Sequence, residues 1–426
     1  MRASCPPFPT EPDTPILCVS DPTHLSDLKT SMFNSQASRL AQPALLPDFD
    51  RPFGLPAFNT IEDAIQAYEG DDAIYVLYPQ KIEAAAQDFV QNFPGKTLYA
   101  VKANPHPAVL KILWASGIRG YDVASIREID LVREHCPEAE LYLMHPVKSR
   151  RTIRHAYEAG VRHFAFDCAA ELGKILVETS DADDLHLHLR LALPTGGSAS
   201  MPLEGKYGAT YHEAVELLRA ARPVAAKLGI CFHVGSQCMD PADYIQALSY
   251  VQGLLDKADV KLESLDCGGG FPVAYPGLTP PPMQAYFDRI QKGLDIFGFG
   301  DLEIIGEPGR ALCGAGGSTL ARVELRKGLD LYLNEGSYGS LFDAAQCAWK
   351  YPVKLHRSSE TSDETIGFRF FGPTCDSMDV MAGPFELPHD VREEDWIEIC
   401  HLGAYGQAMA TDFNGFQSDT TVAILG

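Results

Sequence analysis

Residues 98–134 read LYAVKANPHPAVLKILWASGIRGYDVASIREIDLVRE, and two structural periods alternate within them. Segments 98–103 and 120–124 are short and apolar, as buried strands are, whereas 107–116 and 125–134 carry apolar residues at the i, i+3, i+4, i+7 spacing of one helix face. Ser125 followed by Glu128 is a capping box opening the second helix. The same alternation extends downstream through strand-like runs at 140–145, 163–168, 185–193, 230–235, 262–267 and 302–307, with helical spacing over 211–228 and 241–257. Eight repeats of strand and helix predict an α/β protein built on a (β/α)8 barrel, whose parallel strands need helical crossovers; an open doubly wound sheet is the alternative.

Outside the barrel the pattern changes. Beyond Gly314, segments 320–325, 329–333, 368–371, 396–400 and 421–424 are strand-like without regular helical spacers, which predicts a mainly β C-terminal domain, and 73–77 is placed to add a strand to it. Ten of the 30 prolines precede residue 57, and proline removes backbone donors, so 1–55 reads as an extension, partly disordered. The predicted division is this extension, a segment 56–90 that contributes to the β domain, a barrel over 91–314 and a β domain over 315–426.

The chain has 426 residues, 46% of them hydrophobic, and a formal net charge of −22. Such a balance repels phosphate backbones and anionic membrane surfaces, which disfavours nucleic-acid and membrane partners but leaves room for a local basic cluster around a small anion. Eleven scattered cysteines with no CxxC pair fit neither a disulfide framework nor a zinc ribbon. With a proline-rich start unlike a signal peptide, they point to the cytoplasm.

Catalytic groups in this fold sit where barrel strands end at the C-terminal rim. There the sequence offers Lys102, Asp122, Arg190, His233-Val-Gly-Ser236, Gly268-Gly269-Gly270 and Glu307-Pro-Gly309-Arg310. A lysine ending a buried run is a Schiff-base former if desolvation lowers its pKa, or else a residue whose head snorkels to solvent. Three glycines after strand seven and Arg310 after strand eight fit a monophosphate, although the glycines alone could be a plain turn; the spacing is not a dinucleotide fingerprint. Glu307 could hold a protonated ring nitrogen or be an ordinary solvated carboxylate. Alternation over 185–191 puts His186, His188 and Arg190 on one face, either a polar barrel interior or two zinc ligands; no third ligand stands at a usual spacing, and no metal is expected. Phe371-Gly-Pro-Thr-Cys375-Asp376 places a thiol and a carboxylate on a loop of the second domain, where the thiol is a candidate acid or merely a small hydrophobe.

In this order, these motifs together with Gly403-Ala-Tyr405 resemble the ornithine/lysine/arginine/diaminopimelate decarboxylases, pyridoxal-phosphate enzymes with an alanine-racemase-like barrel and a β domain. The resemblance covers roughly residues 60–420 and is nearest to ornithine decarboxylase. It implies that Lys102 carries pyridoxal 5′-phosphate as an imine, that His233 stacks on the ring and that Glu307 binds its nitrogen. Asp122 and Arg190 would support ring and lysine; Ser236, Gly268, Gly269, Gly270, Gly309, Arg310 and Tyr405 would hold the phosphate. Cys375 would return a proton to Cα after carbon dioxide leaves, and Asp376 would reach the distal amine of the substrate, both from the partner subunit of a homodimer with shared sites. The implied reaction is decarboxylation of an ornithine- or lysine-like amino acid to a diamine, as in polyamine metabolism. The alternatives are arginine or another altered substrate, a racemase on the same fold, or an inactive regulatory relative. Two departures bear on the substrate. Ornithine decarboxylases carry an acidic residue after Tyr338-Gly-Ser340, where this sequence has Gln346 and Cys347, with Asp343 the nearest carboxylate. His145 stands where relatives have Asn.

Overall fold

A computed structural model describes residues 52–426 apart from Glu69, Thr195, Glu204 and Ala348, so the extension predicted over 1–55 lies almost wholly outside the described residues. The eight apolar runs become eight parallel strands closed into a barrel: Lys96–Ala100, Gly120–Val123, Glu140–Leu143, His163–Phe166, His186–Arg190, Lys227–Cys231, Ser264–Asp266 and Glu303–Gly306, the last pairing back to the first. This excludes the open doubly wound sheet. The first strand stops at Ala100, and a 3-10 turn over Val101–Ala103 carries Lys102 over the rim. Ser125 caps Ile126–His135 by accepting from the Glu128 amide at 3.2 Å, but the Glu128 carboxylate accepts from the Ala124 amide at 2.6 Å. The helix expected over 211–228 ends at Ala221, and Lys227–Cys231 is already the sixth barrel strand; Pro223, which cannot continue a helix, lies between them in a short 3-10 turn. The eighth crossover is only Arg310–Cys313. The ring of helices is completed by Pro79–Asn92 from before the barrel, whose Phe89 packs edge-on against Phe271 and Phe287 at 5.1 and 5.0 Å.

Leu185, Leu187, Leu189 and Leu191 are all buried against the helices, as the alternation requires. The opposite face fills the barrel with polar groups: His186 and His188 both hydrogen-bond to His163, at 3.1 and 3.0 Å. His163 is the third histidine that sequence spacing did not show. Ring-to-ring contacts take up both nitrogens of His163 and one each of His186 and His188, while His188 Nδ1 has no partner among the described residues; among the described residues no cluster is arranged to hold a metal. At the N-terminal end of the barrel, Lys96 donates to Glu140 at 2.8 Å, Glu303 at 2.7 Å and the Tyr142 hydroxyl at 3.0 Å.

In the second domain the strand Gly317–Lys327 pairs antiparallel with Ile74–Leu77, as expected of 73–77, with Trp396–Cys400, and through a tight turn with Asp330–Leu333. Thr365–Phe371 and Val380–Pro388 continue the sheet, and Val353–His356 lies beside Trp396–Cys400. Val353–His356 and Val380–Pro388 were not expected. Gly383 and Pro384 interrupt the second strand's pattern, although Met381, Phe385 and Leu387 alternate inward.

Candidate active site

The barrel strands end around a cavity of about 820 Å³ lined by Lys102, Asp122, Arg190, His233, Ser236, Gly269, Gly270, Glu307, Gly309, Arg310 and Tyr405. Gly268 adjoins it. Ala100 is in register with Asp122 on the neighbouring strand, which brings the Asp122 carboxylate to 3.4 Å from Lys102 Nζ. Lys102 faces the cavity and keeps 53% of its side chain exposed, whereas Asp122 keeps 7%. The attraction of Asp122 raises the lysine pKa and outweighs burial. The expectation of an amine deprotonated by desolvation is therefore corrected: here the ammonium is held charged by a neighbouring strand that local sequence does not reveal.

Glu307 directly follows the last strand at 5% exposure, and its Oε1 has no hydrogen-bond donor among the described residues. Burial raises its pKa, with Asp266 and Asp122 adding repulsion that Lys102 and Arg190 oppose, so a buried carboxyl within hydrogen-bonding reach of Asp266 faces the site. The Gly235 amide donates to His233 Nδ1 at 2.9 Å, and burial, with Arg190 and Lys102 nearby, holds the imidazole neutral. A neutral ring is suited to stacking.

Beside His233 and Glu307, Gly268 and Gly270 have φ of +67° and +109°, a region that favours glycine. Built onto Gly268, a Cβ would meet the Phe232 carbonyl at 2.0 Å. Arg310 is 4% exposed, spans Tyr405 and Trp349 with its guanidinium carbon 4.9 and 5.4 Å from the ring centres, and leaves Nε without a partner among the described residues. A buried carboxyl, a glycine cradle and an arginine with a free N–H edge together fit a flat ring with a basic nitrogen and a phosphate.

The second domain contributes Phe342, Asp343, Tyr405 and Met409 to this cavity. Asp343, a residue sequence reading left as the nearest carboxylate, accepts from Arg310 Nη1 at 2.7 Å and from the Tyr351 hydroxyl. Only the fold could show that pairing. Gln346 is exposed, and Cys347 sits outside the cavity beside Asp343, its thiol pKa raised by burial. The glycine of Tyr338-Gly-Ser340 is explained by buried Glu335: a Cβ on Gly339 would lie 1.7 Å from its Oε1. Tyr338 donates to Asp376 at 2.7 Å, and Cys375 is exposed. Neither these three residues nor Gln346 or Cys347 line the cavity in a single chain. His145 does, with its ring 5.4 Å from Tyr207.

Comparison with known proteins agrees with this geometry. Residues 79–314 match the pyridoxal-binding domain of the pyridoxal-dependent decarboxylases, and 316–403 match their C-terminal sheet domain. The lysine/ornithine decarboxylase of Selenomonas ruminantium is 33% identical over 352 residues, covering 80% of this chain and 87% of the relative. The ornithine decarboxylase of Panagrellus redivivus is 32% identical, covering 85% and 89%. The crystal structure of a Vibrio vulnificus lysine/ornithine decarboxylase complexed with putrescine superposes with a TM-score of 0.74 at 28% identity, covering 85% of this chain and 97% of that one. On fold, site and sequence together, the chain belongs to the pyridoxal-dependent decarboxylase family.

Proposed function

We propose that this enzyme decarboxylates a basic amino acid of the ornithine or lysine type, giving a diamine and carbon dioxide in a polyamine-type pathway. The observation that carries the reading is one cavity with Lys102 beside Asp122, a buried Glu307 carboxyl, and both Arg310 and a glycine cradle on its rim. When bound, pyridoxal phosphate supplies the electron sink for the pair released with carbon dioxide. Lys102 is its attachment point and Glu307 keeps a proton at the ring nitrogen. Arg310, Ser236, Tyr405 and the amides of 268–270 and 309 hold the phosphate. His233 covers the ring, with Asp122 and Arg190 supporting ring and lysine.

Cys375 is assigned the proton delivered to Cα, and Asp376 the distal ammonium. Cys375 is exposed, Asp376 is half-buried, and both lie outside their own chain's cavity, which supports a homodimer in which the partner subunit's Cys375 and the partner subunit's Asp376 complete each site. Nine free cysteines among the described residues support a cytoplasmic setting; none of the described helices is long and apolar enough to cross a membrane.

With Asp343 committed to Arg310, and Gln346 and Cys347 at the position of the second carboxylate, one ionic contact to the distal amine is missing. A hydrogen bond to a charged group contributes about 1.5–3 kcal/mol, so kcat/KM for ornithine should rise roughly 10–100-fold in Cys347→Asp or Gln346→Asp. The test is product identification with ornithine, lysine, arginine, 2,4-diaminobutyrate and citrulline. Efficient, strongly selective ornithine turnover by the wild type, unimproved by either variant, would refute the specificity reading; no carbon dioxide from any of the five would refute the substrate class.

A further inference from the structure

Arg310 is matched by a buried anion before any ligand enters the site. Its Nη1 donates to Asp343 Oδ2 at 2.7 Å and to the Tyr275 hydroxyl at 3.0 Å, and Tyr351 donates to the same aspartate oxygen. Arginine and aspartate side chains are 4% and 7% exposed, and both line the cavity. The guanidinium is therefore gripped by one edge, while Nε on another edge has no partner among the described residues. Asp343 lies in the short helix Phe342–Gln346 of the second domain, so the carboxylate reaches the barrel rim from outside the barrel.

Taking the Arg310 end of the cavity as the phosphate end, the reading on which this inference rests, we propose that Asp343 is a positioning residue that orients Arg310 toward the phosphate and, by its own charge, sets the cofactor's affinity below what the arginine alone would give. Two effects of opposite sign are joined in one side chain. As an acceptor, Asp343 keeps the guanidinium in one orientation, which favours binding. As an anion in a poorly screened interior it repels a phosphate carrying about −1.5 to −2 charges at neutral pH. Replacement of oxygen by an amide separates them, because Asp343→Asn retains an acceptor for Arg310 and Tyr351 and loses the charge.

The test is equilibrium dialysis of the full-length protein, freed of cofactor, against pyridoxal phosphate and against pyridoxal, which lacks the phosphate. Asp343→Asn should bind pyridoxal phosphate roughly tenfold more tightly than the wild type, with pyridoxal binding unchanged; tenfold corresponds to about 1.4 kcal/mol. Asp343→Gln, which likewise keeps an amide acceptor and loses the charge, should shift in the same direction and serves if the Asn variant does not fold. Equal or weaker binding of pyridoxal phosphate in a folded variant overturns the proposal, as does a parallel change for both ligands, which a purely structural role would give. A wild type that binds the two ligands equally would instead overturn the assignment of the phosphate end.

Discussion

Both ends of the barrel hold a lysine among carboxylates, yet they are opposite in one respect. At the N-terminal end Lys96 donates to Glu140, Glu303 and Tyr142, and His163 lies 3.2 Å from Glu140. Burial works against the Lys96 ammonium, but the two carboxylates outweigh it; Glu140 in turn is held well below the usual carboxylate range, chiefly by His163 and Lys96. At the C-terminal rim Asp122, at 3.4 Å, is the one ion-pair partner of Lys102 among the described residues, while Glu307 Oε1 and Arg310 Nε have no partner among them. Charge and residue type are alike; the satisfaction of the charged groups is not, although Thr97 Oγ1 and His188 Nδ1 near the N-terminal end also lack partners among the described residues. Unpaired buried polar atoms cost stability, so the rim keeps groups in place for a ligand at the expense of the fold, and the opposite end contributes to the fold.

The largest effect that sharpens this contrast comes from exchanging the two lysines. Lys102→Ala should abolish decarboxylation, a loss of at least about 10³-fold, with little change in melting temperature. Lys96→Met leaves Glu140 and Glu303 facing each other; it should lower stability by on the order of 1–3 kcal/mol while the folded protein still binds cofactor. A Lys96 variant that lost the cofactor without unfolding would break the comparison. Next, Glu307→Gln should reduce kcat by roughly 10²-fold. The same substitution should stabilise the cofactor-free protein at pH 8. The folded Glu307 pKa is raised by burial, so the carboxyl destabilises above its unfolded value of about 4.3, and the gain should vanish as pH falls below that value. Thermal unfolding across pH checks the sign.

A smaller effect tests the groups absent from the cavity. Inactive Lys102→Ala and Cys375→Ala subunits, mixed equally and allowed to exchange, should recover roughly a quarter of wild-type activity, since half the dimers carry one intact composite site. No recovery after proven exchange would mean that each chain builds its own site. The smallest effect belongs to the satisfied end. Glu140→Gln should cost about 1 kcal/mol at pH 7 for a partly exposed pair. Because the folded pKa of Glu140 is depressed, that difference is present above about pH 4.3 and should be lost as the medium is acidified further. Urea unfolding at pH 7 and in acid measures it.

The sequence was most legible where one side of the chain settles the outcome. Barrel strands are bounded apolar runs, and the rim groups follow from where those runs end, which is why Lys102, Asp122, His233, Glu307 and Arg310 could be named before the cavity was seen. Whatever depends on a distant partner was hidden. Asp122 reverses the expected shift of Lys102 through barrel register, His163 joins His186 and His188 from the preceding strand, and Asp343 meets Arg310 across 33 residues. In the β domain, Gly383-Pro384 disguised a strand whose inward face is ordinary.

The central claim is that the under-satisfied rim, and not the paired end, is where the cofactor is bound. Borohydride reduction of the protein saturated with pyridoxal phosphate, followed by peptide mapping, tests it most directly. A single adduct on Lys102, absent in Lys102→Ala and present in Lys96→Met, is the predicted result; an adduct on Lys96 or any other lysine, or none at all, would contradict it.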